Sequence, residues 1–455
     1  MFALDRRAGS LGEQLAVALR ESIADGRLAA GTRLPASRDL AGELGVSRGV
    51  VVGAYEQLLA EGRLTARHGS GTFVGSGSGS GSGSAVPPEA PGPVRPAPVV
   101  ALRPGIPDLA RFPRQAWRRA YEAALRTAAD SDLDYGDPAG APRLRAELAG
   151  YLRRVRAARV EAEGLLVTSG AAQALALLAA VLRARGADRI GVEDPGSPAI
   201  REHLIAAGLR PVPVPVDADG LDVAALSRGR LPAVLVTPAH QFPTGVVLSP
   251  ARRTALIAWA VRTGGLIVED DYDAEFRYDR DPVGCLQGMA PQAVALVGSV
   301  SKALAPALRL GWLAGPAGLM AELAVAKSAA DNGGPVLEQL ALAQLLASGG
   351  YDRHLRTVRR LYRGRRDVAV AAVAEHLPAA TVTGVAAGMH LLVTLPPGVD
   401  DVALAGRAGA RGIGALALST TRVGAAGPPG LVIGYGAMPP DRLRAAVAAI
   451  GRLLR

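Results

Sequence analysis

Apolar residues recur at helical spacing from the beginning of the chain: Leu11, Leu15, Leu19 and Ile23 share one face and predict a first helix that closes at Gly26. A second helix is predicted from about Ser37 to Leu44, ended by a turn at Gly45. A third, with Ser47 as its N-cap, runs through Leu59 and turns Val51, Tyr55 and Leu58 inward. Two helices joined at a glycine turn are the unit that lays its second helix in the major groove of DNA. The runs Arg63–Arg67 and Thr72–Val74 read as short strands. His68-Gly69-Ser70-Gly71 joins them, its glycines permit positive φ, and the pair predicts a wing.

The pattern then breaks. Gly75 to Ser84 is strict Gly-Ser alternation and Pro87 to Pro98 is Pro-rich, a flexible and then extended linker with a reach on the order of 25 Å. Beyond it, the apolar runs Leu165–Thr168, Ala233–Thr237, Gly265–Val268 and Ala293–Gly298 alternate with Ala/Leu/Arg-rich helical stretches. That alternation predicts an α/β domain on a mainly parallel sheet. The expected organisation is a winged helix-turn-helix over 1–75, a linker over 76–100 and the α/β domain over 101–455, with no internal repeat.

Composition narrows the function classes. With 455 residues and 49% hydrophobic content the chain can bury large cores. It has no uncharged apolar run of membrane-spanning length and no apolar segment of signal-peptide type after the N-terminus, so a cytoplasmic protein with no membrane contact is expected. The net charge of +10 suits an anionic partner, yet residues 1–75 carry nine Arg against eight Asp plus Glu, so charge alone does not argue for DNA. One cysteine, Cys285, excludes an internal disulfide and a Cys-based zinc finger; a buried free thiol is expected there, and no metal site. Lys302 and Lys327 are the only lysines among 51 basic residues. Arg stays protonated at any ordinary pH, whereas a desolvated Lys amine can attack an aldehyde, so either lysine is a candidate Schiff-base residue.

Polar residues at the carboxyl ends of the predicted strands supply the remaining chemistry, because α/β sheets place ligands there. Glu269-Asp270-Asp271-Tyr272 follows an apolar run; Asp270 is assigned to pair with a protonated pyridine nitrogen and Tyr272 to bond the ring oxygen. In Ser299-Val300-Ser301-Lys302, continuing to Arg309, Lys302 closes the Schiff base while Ser299, Ser301 and Arg309 hold phosphate. Thr168-Ser169-Gly170-Ala171 ends a strand and opens a helix, so the N–H groups of Gly170 and Ala171 suit the same phosphate. On the DNA side, Ser47, Arg48 and Gly49 begin the reading helix, with Arg48 the base reader; Arg38 is a phosphate contact, and Arg67, His68 and Gly69 bring the wing to the neighbouring groove.

The stretches Leu34-Pro35-Ala36-Ser37-Arg38-Asp39-Leu40-Ala41, Gly45-Val46-Ser47-Arg48 and Gly69-Ser70-Gly71-Thr72-Phe73-Val74 closely resemble the GntR winged-helix family. Tyr135-Gly136-Asp137-Pro138, Glu193-Asp194-Pro195-Gly196, His240-Gln241-Phe242-Pro243-Thr244-Gly245 and Gly388-Met389-His390, taken with the Asp270 and Lys302 segments, resemble fold-type I aminotransferases. Together they are similar to the MocR-type branch of the GntR regulators. The resemblance implies pyridoxal 5'-phosphate (PLP) on Lys302 rather than Lys327, and a head-to-tail homodimer in which Tyr135 reaches the partner subunit's cofactor phosphate. It leaves Lys327 as a surface charge. Two positions depart from the family pattern. Val432 stands where an Arg commonly clamps a substrate carboxylate, and Ser197 where an aromatic residue commonly stacks on the cofactor. Both losses argue against efficient transamination. Arg201, His203, His240, His390 and Arg422 remain as possible effector contacts.

Three functions are compatible with this reading. The leading one is a regulator that binds double-stranded operator DNA, contacts RNA polymerase and responds to PLP or an amine or amino-acid effector; the missing clamp turns attention to PLP itself and to vitamin B6 metabolism. The second is a working PLP-dependent aminotransferase with an appended DNA-binding domain. The third is a DNA-binding protein whose large domain only dimerises.

Overall fold

The computed structural model describes residues 4–6, 9–67, 71–75, 102–278, 283–424 and 427–454. The predicted linker and the wing residues His68 and Gly69 lie outside them. The chain divides into two compact units, Met1–Val94 and Arg95–Arg455.

In the first unit, α1 (Leu11–Ala24), α2 (Ser37–Leu44) and α3 (Arg48–Ala60) precede a β-ribbon of β1 (Leu64–Arg67) and β2 (Gly71–Val74). Leu15, Leu19, Leu40, Val51, Tyr55 and Leu58 form its core, so the expected inward face of α3 is the buried one. Gly45 sits in the left-handed region at φ 62° and ends α2, a conformation that would strain any side chain with a Cβ. Ser47 occupies the N-cap position of α3 with extended backbone, but its hydroxyl makes no capping bond, so its position matches the expectation and its bonding does not. The ribbon is antiparallel, Leu64 opposite Val74 and Arg67 opposite Gly71. Its second strand starts one residue earlier than the pattern indicated and also exchanges backbone bonds with the segment before α2, Leu34 N to Thr72 O at 2.8 Å and Val74 N to Thr32 O at 2.8 Å.

The second unit opens with α4 (Arg114–Thr127) and α5 (Pro142–Arg156), then builds an eight-stranded sheet. Its strands are β3 (Leu165–Thr168), β4 (Arg189–Asp194), β5 (Arg210–Asp217), β6 (Gly220–Leu221), β7 (Ala233–Val236), β8 (Leu266–Asp270), β9 (Val294–Ser299) and β10 (Gly311–Ala314). Helices α6 (Ala171–Ala184), α7 (Pro198–Ala206), α8 (Val223–Arg228), α9 (Pro250–Thr263) and α10 (Leu286–Met289) connect them. The spatial order is β3-β10-β9-β8-β7-β4-β5-β6. β9, β8, β7, β4 and β5 are mutually parallel, while β10 runs antiparallel to β3 and β9, and β6 antiparallel to β5. The mainly parallel sheet is therefore as expected.

Both faces of this sheet are covered, which is why its strands read as continuous apolar runs. Val234, Val236 and Ile267 pack with Leu226, Leu256 and Trp259 from α8 and α9 on one side. Ala233, Leu235 and Val268 pack on the other with Leu175 and Leu178 of α6 and with Leu319 and Leu323. The latter two belong to α11 (Ala317–Asp331), followed by α12 (Val336–Ala347) and the long α13 (Gly350–His376). The chain ends in an antiparallel sheet, ordered β11-β12-β14-β13, of β11 (Thr381–Thr383), β12 (His390–Thr394), β13 (Leu416–Ala417) and β14 (Gly430–Gly434), accompanied by α14 (Asp401–Gly409) and α15 (Pro440–Leu454). Among the described residues no helix is long and apolar enough to cross a membrane.

Candidate functional site

Because β3, β4, β7, β8 and β9 point the same way, their carboxyl ends share one edge of the large sheet. β8 extends two residues beyond the predicted run, so Glu269 and Asp270 are strand residues, opposite Leu296 and Val297 of β9. β9 ends at Ser299, and Gly311 of the reversed β10 lies opposite both Ser299 and Thr168. That register brings Arg309, just before β10, to the same edge as the turn that opens α6. A cavity of about 700 Å³ sits there, lined by Asp270, Tyr272, Ser299, Ser301, Lys302 and Arg309, with Ala171 among its other walls. This volume suits a cofactor.

The phosphate end is built from close backbone approach. Gly170 has φ +84°, and a Cβ on it would stand 3.1 Å from Arg309 Nη2. The positive φ favours glycine, a side chain here would also crowd the guanidinium, and Arg309 donates to the Ser169 carbonyl. Gly170 does not itself line the cavity, but it sets the turn from which Ala171 does.

At the other end, Asp270 is buried and its Oδ1 has no hydrogen-bond partner. Burial, reinforced by the neighbouring Asp271, pushes its carboxyl up to about 7, against the pull of the Lys302 charge. An orphaned carboxylate in this position calls for a cationic or donor group, as a protonated pyridine nitrogen is. The Lys302 ammonium donates to the Gly105 carbonyl at 2.7 Å. Burial lowers its pKa, which Asp273 and Asp270 oppose, and so favours the nucleophilic free amine. The residues present therefore fit PLP: an amine for the aldehyde, a carboxylate for the ring nitrogen, hydroxyls and Arg309 for the phosphate.

Tyr272 donates to the His240 carbonyl at 3.0 Å and would have to exchange that bond to reach a ring oxygen. Behind it stands a buried support: His240 Nδ1 lies 3.0 Å from Asp273 Oδ2, and the His390 ring is 4.8 Å from that of His240. Burial, then His240, hold His390 well below the ordinary histidine range, so it is neutral.

Other expectations resolve unevenly. Ser197 caps α7, accepting from Ile200 N at 3.4 Å, and lines the cavity without an aromatic face. Val432 is fully buried among Leu392 and Leu418 and does not line it. Of the five effector candidates only Arg201 lines the cavity, and its guanidinium is committed to the carbonyls of Gly196, Thr421 and Thr420 at 3.1, 2.9 and 3.2 Å. Tyr135 is 81% exposed and stands apart, at a second cavity. Cys285 is free and buried. Lys327 corrects the sequence reading: it is not a surface charge but is buried in α11, ion-paired to Asp331 at 2.8 Å.

Sequence reasoning passed over Glu193 and Thr237 as cavity walls. Glu193 is buried and accepts from Thr237 Oγ1 at 2.5 Å and Gln241 Nε2 at 3.2 Å; burial holds it up at about 7 despite those bonds. The signal was available, since Glu193-Asp194 ends an apolar strand just as Glu269-Asp270 does. Gly105 carried none.

In the first unit, Arg38, Ser47, Arg48 and Gly49 are all exposed, along α2 and at the start of α3. Arg48 Nε reaches Ser37 Oγ at 3.4 Å, and the Arg67 guanidinium lies 5.0 Å from the centre of the Phe73 ring, which steadies the ribbon.

The model of the bacterial regulatory proteins of the gntR family matches residues 11–74, and that of the class I and II aminotransferases matches residues 99–450. The chain is 37% identical to the HTH-type pyridoxine biosynthesis transcriptional regulator PdxR of Corynebacterium glutamicum, over 97% of this chain and 95% of that one. It is 33% identical to the probable rhizopine catabolism regulatory protein MocR of Rhizobium meliloti, over 99% and 95%. Among solved structures, LysN of Thermus thermophilus, an alpha-aminoadipate aminotransferase complexed with N-(5'-phosphopyridoxyl)-L-leucine, superposes with a TM-score of 0.71 at 26% identity, covering 78% of this chain and 92% of that one.

Proposed function

The chain belongs to the GntR family of bacterial transcription regulators, in the branch that carries a PLP-binding class I and II aminotransferase domain, and on that premise we propose that it senses PLP through Lys302 and adjusts transcription of vitamin B6 genes in the cytoplasm. The observation that carries this reading is the pairing, in one cavity, of the Lys302 amine with a buried Asp270 oxygen that has no partner. When bound, PLP supplies an aldehyde that combines with amines and a ring that acts as an electron sink. Lys302 is the residue that captures it, and Asp270 holds its ring nitrogen. Ser299, Ser301, Arg309 and the Gly170–Ala171 turn hold the phosphate, with Tyr135 contributed by the partner subunit of a head-to-tail homodimer. Val432 supports sensing over turnover: a buried valine cannot fix a substrate carboxylate.

Sequencing the genomic DNA recovered with the protein, from cells grown with and without pyridoxine, tests this reading. Fragments beside PLP-synthesis genes, whose recovery changes with supply, are expected; the same recovery under both conditions contradicts it.

DNA contact is assigned to Ser47, Arg48 and Gly49, with Arg48 as the base reader; Arg38 is the phosphate contact, and Arg67, His68 and Gly69 bring the wing to the neighbouring groove. Arg48→Ala is expected to cost about 1–3 kcal/mol on operator DNA and little on random DNA. Arg38→Ala is expected to weaken both alike and to lower the salt slope by about one. Binding curves at several salt concentrations check the pair, and equal losses on both DNAs for Arg48→Ala remove it from base reading.

A further inference from the structure

The second lysine heads a polar network of its own. The Lys327 ammonium donates to both carboxylate oxygens of Asp331, at 2.8 and 2.9 Å, and to the Gly333 carbonyl at 3.0 Å, so all three of its donors are used in a buried setting. Asp331 ends α11. It also accepts the Gly333 N–H at 3.0 Å and Gln173 Nε2 at 2.6 Å. Gln173 lies in the first turn of α6, and its Oε1 accepts the backbone N–H of Ser169 at 2.7 Å. Ser169 is the residue on whose carbonyl Arg309 docks. A path of hydrogen bonds therefore runs from a buried ammonium to the backbone of the turn that opens onto the cofactor cavity. Ser169, Asp331 and Gly333 also share the second cavity, of about 590 Å³, with Tyr135.

Lysine is suited to this position in a way arginine is not. Three oxygens converge on one point within a turn of the helix end, which a compact ammonium with three donors can serve; a planar guanidinium spreads its donors over a wider fork.

We propose that Lys327 is a positioning residue for phosphate recognition: it orients Asp331, Asp331 orients Gln173, and Gln173 holds the Ser169–Ala171 turn with its N–H groups aimed at the phosphate of the ligand. The proposal rests on the PLP reading above. Lys327 touches no ligand, and its influence is specific to the phosphate end, because the path ends on that turn and not at Asp270 or Lys302.

Affinities of the full chain for PLP and for pyridoxal, which lacks the phosphate, test it in Lys327→Met and in Gln173→Ala. Gln173→Ala breaks the path while leaving the buried ion pair intact, so it keeps the test decisive should Lys327→Met fail to fold. Each variant is expected to bind PLP roughly tenfold more weakly, the scale of one lost charge-assisted hydrogen bond, with pyridoxal affinity within about twofold of the parent. The double variant is expected to lose no more than the weaker single one, since both act on one path. Equal losses for both vitamers, as general loosening would cause, overturn the proposal, as does an unchanged PLP affinity in Gln173→Ala. A parent protein that takes up pyridoxal but gains nothing from the phosphate overturns the proposal alone, whereas one that takes up neither vitamer overturns the cofactor reading and this proposal with it.

Discussion

Lys302→Ala is expected to remain folded and to lose the visible absorption that the parent protein acquires with PLP, together with roughly a thousandfold, about 4 kcal/mol, of PLP affinity. Folding survives because the side chain is only part-buried and its bond among the described residues, from the ammonium to the Gly105 carbonyl, is worth about 1.5–3 kcal/mol. The affinity falls steeply because the remaining contacts, Asp270 and the phosphate group of residues, are noncovalent, and nothing else in the cavity offers an amine: the other lysine is buried in its pair with Asp331. Borohydride treatment followed by mass spectrometry gives an independent check. The parent should gain the mass of the reduced phosphopyridoxyl group on the peptide containing Lys302, and the variant should gain none. A variant as coloured as the parent would move the capture site elsewhere.

The second large effect has the opposite sign in stability and function. Asp270 is a buried carboxyl whose pKa rises from 3.8 to about 7, chiefly by burial and then by Asp271. A carboxyl raised on folding binds its proton more tightly in the folded state, so its unfavourable contribution is absent below pH 3.8, grows as pH rises towards 7, and is complete above that. Asp270→Asn removes the charge and keeps the shape. At pH 8 the cofactor-free variant is therefore expected to be more stable than the parent by about 2–4 kcal/mol, a gain that shrinks as pH falls and vanishes near pH 4. The same substitution should weaken PLP binding, because the amide cannot pair ionically with the ring nitrogen. Denaturant titrations at pH 8 and pH 4, beside a PLP titration, check all three statements. A variant less stable than the parent at pH 8 would show that Asp270 is not a strained, unpartnered charge. Glu193, Glu269 and Glu275 are likewise held near 7 by burial, so the parent itself should lose stability from pH 5 to 8.

Much of this architecture is legible in the residue pattern, for reasons that differ along the chain. Gly45 marks the end of α2 because a left-handed turn needs it, and β3 coincides with the apolar run Leu165–Thr168. Asp270 stands out because a carboxylate at the carboxyl end of an apolar run must meet either a ligand or an ion-pair partner. Glu193 has the same signature, yet its partners Thr237 and Gln241 lie 44 and 48 residues away, and only strand pairing brings them together. Lys327 misleads when judged on its charge. Its spacing tells otherwise: Leu319, Leu323 and Lys327 follow one another at four-residue steps on the buried face of α11, and Asp331 is the next step. Periodicity outranks residue type there, as it does wherever a buried charge has its partner one turn away.

Capture of PLP at position 302 is expected to change how the winged helices read DNA. Fluorescence anisotropy of a labelled operator, titrated with parent and Lys302→Ala proteins in the presence and absence of PLP, measures it. A shift in operator affinity of at least about fivefold is predicted for the parent, the lower end of allosteric coupling, and none for the variant. Parent binding curves that superimpose with and without PLP, or an equal shift in both proteins, would contradict it.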